Sequence, residues 1–151
     1  MGNENEALDP INWVGEIDPV RLRGAGFAWW HESKTDFDAQ ALASLRESFQ
    51  VNAGQFELIA FLGVWCPDCQ EQMPEFFSLI EAARIPWSSV KLIGTLRDKR
   101  FLPWTETLAL QRLPTYVVLQ GGKEIGRVTE YPKATLIEDL AEILETQVKA
   151  G

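Results

Sequence analysis

One stretch of this chain is apolar without interruption: Leu58-Ile59-Ala60-Phe61-Leu62-Gly63-Val64. A run this short, with no alternation, predicts a strand over 57–64 that is buried on both faces. Ahead of it, Phe37, Ala41, Leu45 and Phe49 recur every four residues with Leu42 alongside, which predicts an amphipathic helix over 36–51. Asp36 is its expected N-cap, and Asn52 and Gly54 mark its end. Behind the run, a helical pattern carrying Met73, Phe76, Phe77 and Ile80 extends from Pro67 to Ala83. Pro74 inside it removes one ladder bond and should kink it. Val90 to Leu96 predicts a second buried strand and Tyr116 to Leu119 a third. Gly121-Gly122 predicts a tight turn into a polar edge strand over 123–129. A short helix is expected near 104–111. The last helix opens on Thr135-Leu136-Ile137-Glu138, which has capping-box spacing, and carries the stripe Ile137, Leu140, Ala141, Leu144 and Val148. The order β-α-β-α-β-β-α implies parallel strands joined by crossover helices, closed by an antiparallel hairpin. The fold class is therefore α/β, a central mixed sheet with helices on both faces.

The first part of the chain breaks this pattern. Residues 1–26 contain Asp9-Pro10, Asp18-Pro19 and Gly24-Ala25-Gly26, all breaker signals, and Trp13, Ile17, Val20 and Leu22 are spaced too loosely for an element. They read as an irregular extension packed on the core, with residues 27–151 forming one domain. Phe27-Ala28-Trp29-Trp30 reads as a short strand, and the tryptophans Trp13, Trp29, Trp30, Trp87 and Trp104 as packing residues.

Composition narrows the function classes. The 151 residues are 46% hydrophobic and 24% charged, the balance of a soluble globular protein. A net charge of −8 leaves no broad basic surface for nucleic acid. No apolar stretch reaches the length of a membrane span. The first nine residues lack a basic n-region and an apolar h-region, and Glu6 stands where an acylation motif needs Ser or Thr. A cytoplasmic monomer is expected; a periplasmic protein expressed without its leader is the alternative.

The chemistry concentrates in Trp65-Cys66-Pro67-Asp68-Cys69, which holds both cysteines of the chain. Two thiols separated by two residues, at a step from strand to helix, form a redox device. The helix start favours thiolate at Cys66 through unpaired N–H groups and the helix dipole. Pro67 suits the first helical position, where its missing N–H has no partner to lose. As a structural staple the pair is weak, since so short a loop restrains the unfolded chain by only about 2 kcal/mol. Zinc needs four ligands, and here there are two thiols and a distant His31, so no metal is expected. Asp68 places a negative charge between the thiols and should raise the Cys66 pKa. Trp65 either contacts substrate or is a half-buried core aromatic. The loop Arg97-Asp98-Lys99-Arg100 falls on the motif side, where it either attracts an acidic partner or is simply solvated.

On these residues the chain resembles the thioredoxin family over 27–148. The motif at a strand end, Pro74 within its helix, Leu113-Pro114-Thr115 before the third core strand and the Gly121-Gly122 hairpin carry the resemblance. It implies a thioredoxin fold and a thiol–disulfide oxidoreductase. Cys66 would be the attacking thiol, Cys69 the resolving thiol, and Pro114 a cis-proline facing them. The Leu113 backbone would pair with a bound substrate peptide, and Trp65, Pro67 and Asp68 would complete the substrate-facing surface. The Cys66–Cys69 disulfide would serve in place of any cofactor. The implied partners are a disulfide-containing protein and a thiol or thioredoxin-reductase-type electron donor.

The chain also departs from the family. Pro67-Asp68 replaces the usual Gly-Pro. Ala60 stands six residues before Cys66, where typical thioredoxins keep a buried aspartate, and Gly94 stands near the place of its lysine partner. The proton acceptor for Cys69 is left unassigned, with water or Asp68 as candidates. Glu130-Tyr131 replaces a glycine on the substrate-facing rim. The alternatives from other classes are a binding or redox-sensing module of the same fold without turnover, and a cluster shared across a dimer.

Overall fold

The computed structural model describes residues 13–24, 36–51, 54–95, 110 and 112–150. Strand β2 (Phe56–Leu62) is the centre of a five-stranded sheet. Leu58 to Leu62 point alternately to opposite faces and all are buried, so both faces of the strand are covered. β2 pairs in parallel with β3 (Val90–Gly94) and antiparallel with β4 (Thr115–Gln120). β4 continues through Gly121-Gly122 into the edge strand β5 (Lys123–Thr129). The two glycines have φ of 58° and 83°, left-handed values that suit a two-residue hairpin and that L side chains rarely adopt.

The other edge corrects the sequence reading. Residues 15–17 are not irregular: they form β1 (Gly15–Ile17), antiparallel to β3, and the sheet order is β1-β3-β2-β4-β5. Gly94 makes this pairing possible, because a Cβ there would lie 1.7 Å from the Trp13 carbonyl oxygen. Helix α1 (Pro19–Gly24) follows, opened by Asp18, whose Oδ1 accepts from the Val20 N–H at 2.9 Å. Trp13, Ile17 and Leu22 are buried in the common core. Three residues are too few to show alternation, which is why the strand escaped detection.

Helix α2 (Ala39–Val51) buries Ala41, Leu45 and Phe49, the predicted four-residue stripe. Its N-cap is Asp38 rather than Asp36, since Asp38 Oδ2 accepts from the Ala41 N–H at 2.9 Å. Helix α3 (Pro67–Ala82) runs on through the buried Pro74. A 3₁₀ turn (Trp87–Ser89) leads into β3. Helix α4 (Leu136–Ala150) is capped by Thr135, whose Oγ1 accepts from the Glu138 N–H at 3.2 Å. α2 packs against α4, and α4 lies beside β5. Among the described residues no helix is long and apolar enough to cross a membrane. The expected strand at Phe27–Trp30, the residues His31, Asn52, Leu96 and Trp104, the loop Arg97–Arg100 and, apart from the buried Leu110, the helix near 104–111 lie outside the described residues.

Candidate active site

The motif sits where β2 hands over to α3. The strand ends at Leu62, two residues before the sequence-predicted end, because the chain turns there: the Cys66 N–H donates to the Gly63 carbonyl at 3.0 Å. Cys66 is the N-cap of α3, with φ −87° and ψ 118°, and Pro67 follows at the first helical position. Cys66 is 6% exposed and Cys69 fully buried.

Both cysteines are free thiols, and they are not equivalent. The Cys69 thiol donates to the Cys66 sulfur, which is the largest influence holding the Cys66 pKa down to about 6. The backbone N–H groups of Cys69 and Asp68 push the same way, while burial and the Asp68 carboxylate oppose them. The expected effect of Asp68 charge is therefore present but outweighed, in part by the N–H of the same residue. Cys69 is pushed far up, first because it is the donor in that sulfur–sulfur bond and then because it is buried. The Gly63 N–H donates to Cys69 Sγ at 3.5 Å and opposes this rise. One thiol is thus biased toward the thiolate and its neighbour toward the protonated form.

Around the thiols, Trp65 is half-buried and its Nε1–H donates to the Thr95 carbonyl at 2.9 Å. Its indole lies over Gly63, where a Cβ would come within 2.4 Å of the ring. The Leu113–Pro114 peptide bond is cis. Both residues are buried immediately before β4, whose first residue Thr115 is paired with Phe61 near the end of β2. The sheet register thus carries Leu113 and Pro114 to the same end of the sheet as Cys66. Pro67 is exposed and Asp68 half-buried.

Two residues in or beside this site make contacts that the sequence did not show. Tyr131 is 59% exposed and its Oη donates to Asp68 Oδ1 at 2.9 Å across 63 positions of sequence. That bond raises the Tyr131 pKa. Neighbouring Glu130, at φ 61°, has its N–H on the Pro114 carbonyl at 2.7 Å and its carboxylate on Arg112 at 3.0 Å. The stretch Glu130-Tyr131 thus ties the motif helix to the segment before β4, along the rim. The other residue is Tyr116, buried beneath the motif where its ring meets Phe76 of α3. Nothing in the sequence pattern separates its hydroxyl from an ordinary core aromatic. Among the described residues, no group of three or more His, Cys, Asp or Glu side chains is placed to hold a metal ion.

This mixed sheet flanked by helices, with a Cys-x-x-Cys opening one of them, is a thioredoxin-like α/β fold. Solved structures share it. A protein of unknown function from Pseudomonas aeruginosa is 20% identical, with 100% of each chain covered and a TM-score of 0.52. An HIV epitope scaffold is 19% identical over 96% of this chain and 99% of its own, with a TM-score of 0.54. A thioredoxin from Fasciola hepatica is 19% identical over 68% of this chain and 89% of its own, with a TM-score of 0.44. No family model matches the chain, and no curated protein matches it.

Proposed function

We propose that this protein is a thiol–disulfide oxidoreductase that reduces protein disulfides through a Cys66/Cys69 dithiol–disulfide cycle. The observation that carries this reading is the placing of the two thiols one turn apart at the start of α3, Cys66 at the N-cap and Cys69 fully buried. This arrangement holds the Cys66 pKa down to about 6 and pushes that of Cys69 up. The thiolate is the nucleophile in disulfide exchange. Cys66 attacks one sulfur of a substrate disulfide, a mixed disulfide forms, and the other substrate sulfur leaves as a thiolate. Cys69 then attacks Cys66, releasing the second substrate sulfur and leaving the Cys66–Cys69 disulfide. An external thiol or a thioredoxin-reductase-type donor returns the pair to the dithiol. Trp65, Pro67, Asp68, Leu113 and Pro114 form the substrate-facing surface in this reading.

Reduction of insulin disulfides with dithiothreitol as donor tests the proposal. Catalytic acceleration by the native protein, lost in Cys66→Ser, is the expected result. A native protein no faster than dithiothreitol alone contradicts turnover and leaves a binding or redox-sensing module.

A further inference from the structure

The core beneath the thiols holds a hydroxyl that the cycle above does not use. Tyr116 of β4 lies directly opposite Ala60 of β2, and opposed residues of an antiparallel pair share a face. With only a methyl group at position 60, the Tyr116 ring extends to α3. It meets the Phe76 ring at a centroid distance of 5.0 Å, and its Oη donates to Met73 Sδ at 3.6 Å. Met73 is one helical turn beyond Cys69 on the same face of α3. Tyr116 is 1% exposed. A thioether is a weak acceptor, so this phenol has lost water and gained little in return. Phenylalanine would fill the same space without that cost, and packing alone leaves the hydroxyl unexplained.

Cys69 has the complementary need. When it loses its proton in the resolving step, a negative charge forms on a fully buried sulfur. One backbone donor, the Gly63 N–H, reaches it. The ionisable groups that face it, Cys66 and Asp68, both disfavour its charge. Glu75, which faces Tyr116, is another acid, and Ala60 on β2 offers nothing that ionises. The Tyr116 phenol is pushed well above its ordinary pKa by burial and then by Cys69 and Glu75, so it keeps its proton and has a hydrogen to donate.

We propose that Tyr116 donates a hydrogen bond to the Cys69 thiolate in the resolving step, its Oη–H turning from Met73 Sδ to Cys69 Sγ. The proposal rests on the thiol-exchange reading above. In the step, the Cys69 proton passes to water, and the Cys69 sulfur lone pair forms the bond to Cys66. The bond between Cys66 and the substrate sulfur breaks, and the substrate leaves as a thiolate. Tyr116 remains protonated throughout.

Tyr116→Phe removes the hydroxyl and keeps the ring. In rapid-quench reaction of the reduced protein with oxidised glutathione, followed by mass spectrometry, the mixed disulfide should form at the native rate. It should resolve roughly tenfold more slowly, with the pH profile of resolution moved up by about one pH unit, as expected for a lost bond to a charged group. The thermal midpoint should be equal to or above that of the native protein. Titration of the Cys69 Cβ chemical shift, in Cys66→Ala with and without Tyr116→Phe, supplies a readout that needs no turnover. An upward displacement on removing the hydroxyl supports the proposal; coincident titration curves, or an unaltered resolution rate and profile, overturn it. A native protein that forms no mixed disulfide overturns the exchange reading instead, and the Cys69 titration then decides the role of Tyr116 alone.

Discussion

At the scale of single residues, two identical side chains one turn apart have opposite surroundings. Cys66 takes the donors of the helix start and the thiol of Cys69, while Cys69 takes the burial. Two pH dependences follow. The rate of Cys66 alkylation by iodoacetamide should rise with a midpoint near pH 6 and be flat above neutrality. Stability follows from the same shift. A thiol whose folded pKa lies below its ordinary value of 9.0 contributes stability that is present above 9.0 and lost as pH falls through 6. The denaturant midpoint of the reduced protein, relative to Cys66→Ser, should therefore climb between pH 6 and pH 9. Equal midpoints across that window would contradict the thiolate assignment. Cys69, shifted upward, acts on the far side, favouring the folded state less as pH rises beyond its ordinary value. Much of this was readable from Trp65 to Cys69 as a string, because contiguity on a helix start fixes which thiol meets the free N–H groups. The Tyr131–Asp68 bond and the place of Tyr116 were not, since both arise from pairings between residues distant in the chain.

At the scale of elements, strong patterns were read correctly and weak ones were not. The unbroken run at β2, the four-residue stripe of α2 and the Gly121-Gly122 turn each have a local cause, and each appears as expected. β1 has no local cause, since its partner is β3, with Gly15 opposite Gly94 and Ile17 opposite Leu92 far along the chain. Gly94→Ala tests that dependence. A methyl group set 1.7 Å from the Trp13 carbonyl forces the edge strand away, and overpacking of this kind costs about 1–3 kcal/mol. Equilibrium urea unfolding should show a lowered midpoint. An unchanged midpoint would mean that β1 does not hold its place against β3. The cap moved from Asp36 to Asp38 for a related reason: both are acceptable N-caps by type, and only the helix start at Ala39 decides which oxygen meets a free N–H.

For the whole molecule, residues 13–24 contribute to the core rather than only covering it. Trp13, Ile17 and Leu22 are each buried to within a few per cent. At roughly 1.5–3 kcal/mol for each large side chain removed from water, deleting residues 1–24 should cost several kcal/mol, a large fraction of a typical domain's stability. Circular-dichroism melting of the deletion variant should show a much lower midpoint or no cooperative transition, and a native-like melt would contradict the role given to β1 and α1. The topology was foreseeable in part. β2 crosses through α3 to a parallel β3, and the two-residue turn makes β4 and β5 antiparallel, as the order implies. β4, however, runs antiparallel to β2, where alternation implied a parallel strand. How the antiparallel edge strand β1 completes the sheet was not foreseeable, because no turn or crossover pattern announces it.

The central claim is that Cys66 attacks and Cys69 resolves. Incubating Cys69→Ser and Cys66→Ser separately with insulin, quenching with acid and weighing the products tests it most directly. Cys69→Ser should accumulate a covalent complex that a reducing agent dissolves, and Cys66→Ser should form none. A complex held by Cys66→Ser, with none on Cys69→Ser, would reverse the roles and contradict the account.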